Sequence, residues 1–180
     1  MEILKTAIEG LLIIKPKLFS DNRGSFCETY NKQLFFDNGL NMNFVQDNQS
    51  ISRKGVVRGL HWQVPPFAQG KLVTVVHGSA MDVAVDLRKN SPTFAQHLIV
   101  ELDAKNPVFF WIPEGFAHGF TALEDNTVFQ YKVTNYYNKE SERTILWNDP
   151  NLNIPWNVDN PIVSEKDAES LLFSEFVSLF

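Results

Sequence analysis

The chain has 180 residues, 44% of them hydrophobic and 21% charged, with a formal net charge of −5; that is enough for one substantial core and short for two, so a single domain over 1–180 is expected. The acidic balance and the lack of a lysine/arginine run argue against a nucleic-acid surface, and no stretch approaches the length of a membrane span. Cys27 is the only cysteine, so no intrachain disulfide can form, which fits a cytoplasmic location.

The first residues, MEILKTAIEGLLIIKPKLF, carry an acid at Glu2 and charges that interrupt the apolar stretch, unlike the basic-then-apolar layout of a signal peptide. A helix is expected over Lys32 to Asp37, closed by Asn38-Gly39. Leu72 to Val76 is a β-branched run, and Met81 to Arg88 alternates strictly, with Met81, Val83, Val85 and Leu87 on one face and Asp82, Ala84, Asp86 and Arg88 on the other. The short link at His77-Gly78-Ser79 makes these two strands read as a hairpin. Further strands are expected at His97 to Glu101, Val108 to Ile112, Val128 to Thr134 and Thr144 to Trp147, with a second helix in the tail from Lys166 to Val177. Many short strands with turn chemistry at about ten-residue spacing imply an all-β jelly-roll barrel or sandwich with short peripheral helices, including a C-terminal helical segment. Such a barrel can hold a ligand in its mouth.

The stretch RGLHWQVPPFAQGK, positions 58 to 71, holds two cations, a histidine and glutamines just before a strand. If Arg58 to Gln63 is extended, His61 and Gln63 share one face and Leu60 and Trp62 the other. Arg58 then falls opposite His61, and both reach one pocket only if the chain bends or bulges near Gly59. Several residues admit two readings. His61 is either a satisfied structural residue or a general base. Tyr131 either packs with Phe129 and Val133 or points its hydroxyl into the pocket; Lys71 is a solvated strand end or a cation for an oxyanion. Asp167, in Ser164-Glu165-Lys166-Asp167, is part of a capping box or an orienting partner for His61 from a tail folded back over the barrel.

WIPEGFAHGF, positions 111 to 120, contains P-x-G-x-x-H at Pro113, Gly115 and His118, which resembles the second motif of the cupin superfamily. The first cupin motif is broken, because Gln63 stands where a second metal-binding histidine would be, and amide oxygen is a poor replacement for imidazole at a transition metal. No metal and no other cofactor is therefore expected. Taken together, FSDNRGSFCETY, FVQDNQS, GVVRGLHWQVPPFAQGKLV, DVAVDLRKNSPTF, WIPEGFAHGF, YKVTNYY, ILWNDP and SEKD resemble, in order and spacing, the dTDP-4-dehydrorhamnose 3,5-epimerase family from Phe19 to Asp167. Trp62 departs from the pattern, where a smaller aromatic is expected.

The resemblance implies epimerisation of a dTDP-4-dehydro-6-deoxy sugar at C3 and C5, made feasible by the C4 ketone that acidifies both protons. It implies His61 as the base paired with Asp167, Tyr131 as the acid on the opposite face, and Lys71 as the cation at the enolate oxygen. Arg23 and Arg58 are implied as contacts to the nucleotide portion, Glu28, Gln46, Asn48, His118, Glu142 and Lys166 as further substrate contacts, and Tyr137, with Tyr136 as its neighbour, as an aromatic platform for the base. The family further implies a homodimer with strand exchange, each nucleotide site completed by the partner. The alternatives are a relative that inverts one carbon, a metal-dependent cupin using His61 and His118, and a non-catalytic sugar-binding jelly roll.

Overall fold

A computed structural model describes residues 1–180. Thirteen strands follow in order: β1 (Glu2–Lys5), β2 (Leu12–Lys15), β3 (Phe19–Asp21), β4 (Gly24–Phe26), β5 (Gln46–Ser52), β6 (Val57–Gln63), β7 (Lys71–His77), β8 (Ser79–Asp86), β9 (His97–Asp103), β10 (Phe109–Ile112), β11 (Phe116–Ala122), β12 (Thr127–Val133) and β13 (Glu142–Thr144). Helix α1 (Lys32–Asp37) lies between β4 and β5, α2 (Glu165–Ala168) follows β13, and a 3-10 turn spans Phe173–Glu175. No helix is long and apolar enough to cross a membrane.

The strands form a six-stranded sheet, β1-β2-β10-β7-β12-β5, and a five-stranded sheet, β13-β6-β11-β8-β9, with β3 and β4 paired only to each other. This is the jelly-roll architecture expected, and all its pairings between strands are antiparallel. Between the two large sheets lie Val73, Val75, Ala80, Ala84, Phe110, Ile112, Phe116, Phe120 and Phe129, with the Phe120 and Phe129 rings stacked at 4.1 Å. The outer face of the five-stranded sheet is buried as well, since Leu60, Trp62, Met81, Val83, Val85 and Leu87 pack beneath Ile145, Trp156 and the C-terminal Phe173, Phe176 and Phe180. Trp62 therefore faces this outer layer, its ring 5.3 Å from that of Phe176.

Three expectations need correction. Leu72 to Val76 lies in β7 and Met81 to Asp86 in β8, which stops short of Leu87 and Arg88, but the two strands are not a hairpin: β7 belongs to the six-stranded sheet and β8 to the five-stranded one. The His77-Gly78-Ser79 link carries the chain from one sheet to the other, with Gly78 at φ +74° and no room for a Cβ beside Thr127. The strand expected at Thr144 to Trp147 lies earlier, at Glu142–Thr144, because this edge pairs with the end of β6 and Trp147 turns away to pack on Trp156. The expected helix from Lys166 to Val177 is instead a single turn, α2, and the separate 3-10 turn at Phe173–Glu175, with Phe173, Phe176 and Phe180 packed on the outer face of the five-stranded sheet. Helix α1 has its expected bounds, and Asn31 caps it by accepting from the Leu34 N–H at 3.1 Å.

Candidate active site

A cavity of about 780 Å³ opens between the sheets. Its floor is built by alternation: in β7 the face that buries Val73 and Val75 also carries Lys71, in β11 the face of Phe116 and Phe120 carries His118, and in β12 the face of Phe129 carries Tyr131. The face of β8 that alternation makes polar is the inward one, so Asp82, fully buried between Ala80 and Ala84, points at the same floor.

The position of Arg58 depends on a bulge. Across β6 and β11 His61 pairs with His118 and Arg58 with Phe120, so Gly59 and Leu60 together face Gly119 alone. The extra residue resets the alternation and returns Arg58 to the face of His61, and both line the cavity. Two glycines make this possible: a Cβ on Gly59 would come within 2.5 Å of the Gly119 Cα, and one on Gly119 within 2.7 Å of the Arg58 carbonyl oxygen.

His61 Nε2 lies 2.6 Å from Asp167 Oδ1, and the other carboxylate oxygen accepts from the Gly59 N–H at 3.3 Å. The His61 side chain is 31% exposed, towards the cavity, whereas that of Asp167 is 5% exposed. Burial alone would raise the Asp167 carboxyl, but the hydrogen bonds from His61 and the Gly59 N–H hold it below its ordinary value. Asp167 belongs to both readings offered for it: its backbone N–H donates to Ser164 Oγ, capping α2, while its side chain leaves the cap for His61.

The second pair is deeper. His118 Nε2 is 2.9 Å from one oxygen of Asp82 and 3.1 Å from the other, and burial pushes the carboxyl up and the imidazole down. Lys71 donates to the His61 carbonyl oxygen at 3.1 Å; its burial lowers its pKa to about 8, partly offset by Asp82 and Glu142. Burial also raises the Tyr131 phenol, keeping it protonated.

Nearer the mouth, Tyr137 Oη donates to Glu142 Oε2 at 3.1 Å, and Lys166 Nζ meets the same oxygen at 2.6 Å. Arg58 Nε donates to Ser52 Oγ, and Gln46 Nε2 to Asn48 Oδ1. Thus His61, Asp167, Tyr131, Lys71, Arg58, Gln46, Asn48, His118, Tyr137, Glu142 and Lys166 all line one cavity. Arg23 and Glu28 do not. Arg23 sits at the tip of the β3–β4 hairpin, paired with Asp21 at 2.6 Å and 85% exposed, and Glu28 accepts from Asn31 beside α1. Sequence reasoning does not assign Asp82 to the site; the signal is an acid on the small-residue face, Ala80-Asp82-Ala84, of a strand whose other face is apolar from Met81 to Val85. Gln63 stands in the sequence where a metal ligand is missing, and in the fold its amide is engaged with backbone of two loops.

The family model described as dTDP-4-dehydrorhamnose 3,5-epimerase matches residues 5–175. The chain is 52% identical over 174 residues to the dTDP-4-dehydrorhamnose 3,5-epimerase of Shigella flexneri, covering 96% of each chain. Its structure is similar to that of the Legionella pneumophila dTDP-6-deoxy-D-glucose-3,5-epimerase solved in complex with dTDP-4-keto-L-rhamnose, with a TM-score of 0.93 and 46% identity over 98% of this chain and 94% of that one. It is likewise similar to the dTDP-4-dehydrorhamnose 3,5-epimerase of Elizabethkingia anophelis, with a TM-score of 0.91 and 47% identity over 97% of both chains.

Proposed function

The chain belongs to the dTDP-4-dehydrorhamnose 3,5-epimerase family, and we propose that it converts dTDP-4-dehydro-6-deoxy-D-glucose to dTDP-4-dehydro-L-rhamnose by inverting C3 and C5. The observation that carries the catalytic assignment is the His61–Asp167 pair at 2.6 Å, with a buried carboxylate behind an imidazole that faces the cavity. His61 takes the proton from the carbon beside the ketone, and the electron pair moves to the C4 oxygen. Asp167 holds the imidazole in orientation and stabilises the imidazolium. Lys71 meets the charge that develops on the C4 oxygen only after proton removal, which is where an electrostatic contact lowers the barrier. Tyr131, on the facing sheet, returns a proton from the other side of the ring; its hydroxyl is then reprotonated from solvent, and His61 releases its proton likewise.

Arg58 and Lys166 supply positive charge for the pyrophosphate, Gln46, Asn48, His118 and Glu142 line the sugar and nucleotide path, and Tyr137 offers a ring for the base. The reaction shifts protons without changing oxidation state overall, so it needs no redox cofactor. The metal-dependent cupin reading loses its second histidine at Gln63, whose amide nitrogen is taken up by the backbone carbonyl oxygens of Phe67 and Tyr136.

The whole chain acts, in this reading, as one cytoplasmic domain that forms a homodimer by exchanging its β3–β4 hairpin. Support comes from the hairpin itself: it pairs only with itself, Phe19 and Phe26 are 51% and 65% exposed, and Arg23 and Glu28 lie outside their own cavity. In the partner's cavity these two residues would complete the nucleotide site.

The test is incubation with dTDP-4-keto-6-deoxyglucose in deuterated water with chelator, following C3 and C5 by NMR. Deuterium and inversion at both carbons are expected. Label at one carbon alone would make the chain a single-site epimerase, loss of activity restored by added metal would support the metal-dependent reading, and tight binding without label would leave a sugar-binding jelly roll.

A further inference from the structure

Gln63 closes β6 two residues after His61 and is 4% exposed. Its amide bonds are all directed at backbone. Nε2 donates to the Phe67 carbonyl oxygen at 2.6 Å and to the Tyr136 carbonyl oxygen at 3.1 Å, while Oε1 accepts from the Asn138 N–H at 2.6 Å. Only a carboxamide offers two donors and an acceptor in this arrangement; glutamate lacks the donors and neutral histidine has only one. The two backbone groups taken from the second loop, Tyr136 C=O and Asn138 N–H, stand immediately before and after Tyr137.

The same two loops are tied at other points. Gln69 Nε2 donates to the Asn135 carbonyl oxygen at 2.6 Å, Asn135 Nδ2 to the Pro66 carbonyl oxygen at 3.1 Å, and the Gly70 N–H to Thr134 Oγ1 at 2.8 Å. The ring held between them, Tyr137, is 56% exposed and lines the cavity. Glu142 Oε2 accepts from the tip of this half-exposed ring at 3.1 Å, and Gln63 holds its backbone from both sides.

Resting on the proposed nucleotide-sugar activity, we propose that Gln63 is a positioning residue for nucleotide binding: it clamps the loop on either side of Tyr137 and so presents that ring to the base, without taking part in proton transfer. The position that would carry a metal ligand in a metal-binding cupin here orders the platform for the nucleotide. The consequence is a separation of roles along one strand face, with His61 serving the chemistry and Gln63, two residues on, serving binding.

The test uses Gln63→Met, which keeps length and volume, adds no charge and removes all three hydrogen bonds. Calorimetric Kd for dTDP, which lacks the reacting sugar, is expected to rise about tenfold, with KM for the 4-keto sugar nucleotide rising by the same factor and kcat at saturation within about twofold of the parent. In a Tyr137→Ala background Gln63→Met should produce no further weakening, because the platform it positions is gone. A fall in kcat with Kd unchanged, no change at all, or the same weakening in both backgrounds would overturn the inference. If Gln63→Met does not fold, Asn135→Ala cuts a more exposed tie between the same loops; a rise of about threefold in Kd for dTDP, absent from the Tyr137→Ala background, supports the clamp, and an unchanged Kd overturns it. A parent protein that neither binds dTDP nor converts the sugar nucleotide would instead remove the functional reading on which the inference rests.

Discussion

Two histidine–carboxylate pairs stand side by side in this cavity, His61 with Asp167 and His118 with Asp82, the two histidines directly opposite each other across β6 and β11. The residue types are the same and the separations similar, at 2.6 Å and 2.9 Å. Their surroundings drive them in opposite directions. Asp167 receives the Gly59 N–H as well as His61, and these bonds outweigh its burial and keep it ionised. Asp82 is wholly buried in the interior of a strand, and desolvation raises its carboxyl against the pull of His118 and Lys71, while the same burial lowers the His118 imidazole. In one pair the anion stands behind an imidazole that faces the cavity. The other holds β8 against β11 and shapes the floor. A histidine beside an aspartate is therefore not by itself a catalytic dyad; access and the charge on the partner decide.

The sharpest way to break this contrast is substitution at the two histidines. His61→Ala should lower kcat by about 10⁴-fold with the fold retained by circular dichroism, since it removes the proposed general base. His118→Asn should cost far less in kcat; equal losses would show that both pairs take part in proton transfer. Tyr131→Phe should reduce inversion by about 10²-fold to 10³-fold. Deuterium exchange at C3 should persist in that variant, because abstraction by His61 and return to the same face remain open. Next in size comes Asp167→Asn, with a loss of about 10²-fold in kcat and a melting temperature near that of the parent. Asp82→Asn should do the reverse, keeping kcat within about tenfold and destabilising the protein by about 1–3 kcal/mol in denaturant titration.

Much of this was legible in the chain, for identifiable reasons. The strict alternation of β8 and the β-branched run of β7 declare strands, and Asn31 with Asn38-Gly39 brackets α1. The sheet to which a strand belongs is not written in its own residues: Gly78 serves a turn within a sheet and a crossing between sheets equally well, so the β7–β8 hairpin was a reasonable and mistaken expectation. The tail misled for a related reason. Its apolar spacing suits a helix in isolation, but the apolar outer face of β8 and β6 is there for Phe173, Phe176 and Phe180 to cover. The clustering of His61, Tyr131, Lys71 and Asp167 was reached through resemblance, because residues this far apart in sequence meet only after the sheets pack. The tension between Arg58 and His61 is visible in the alternation of β6, and Gly59, which alone lets the chain lie this close to Gly119, carries the signal of its resolution.

The smallest effect proposed concerns pH, and it tests whether Asp82 reaches the chemistry through Lys71 rather than through His118. Lys71 has a folded pKa of about 8, lowered by burial and held from falling further by Asp82 and Glu142. Its ordinary value is about 10.4. Above pH 8 the folded protein loses the cation proposed for the enolate oxygen, so kcat/KM should fall through a basic limb near 8. Tyr131 is not the group responsible, because burial raises its phenol above the ordinary range. Stability should move the other way: between about pH 8 and 10.4 the unfolded chain binds a proton that the folded chain does not, so this group's contribution to folding stability rises with pH across that window. Lys71→Arg, whose guanidinium does not titrate there, should show no basic limb near 8 whatever its residual rate. Asp82→Asn should shift the parent's limb to lower pH, since a neutral amide no longer helps Lys71 keep its proton. A limb that stays at 8 in Asp82→Asn would confine Asp82 to the floor; a limb that persists in Lys71→Arg would assign it to another group and leave Lys71 without its role at the enolate oxygen.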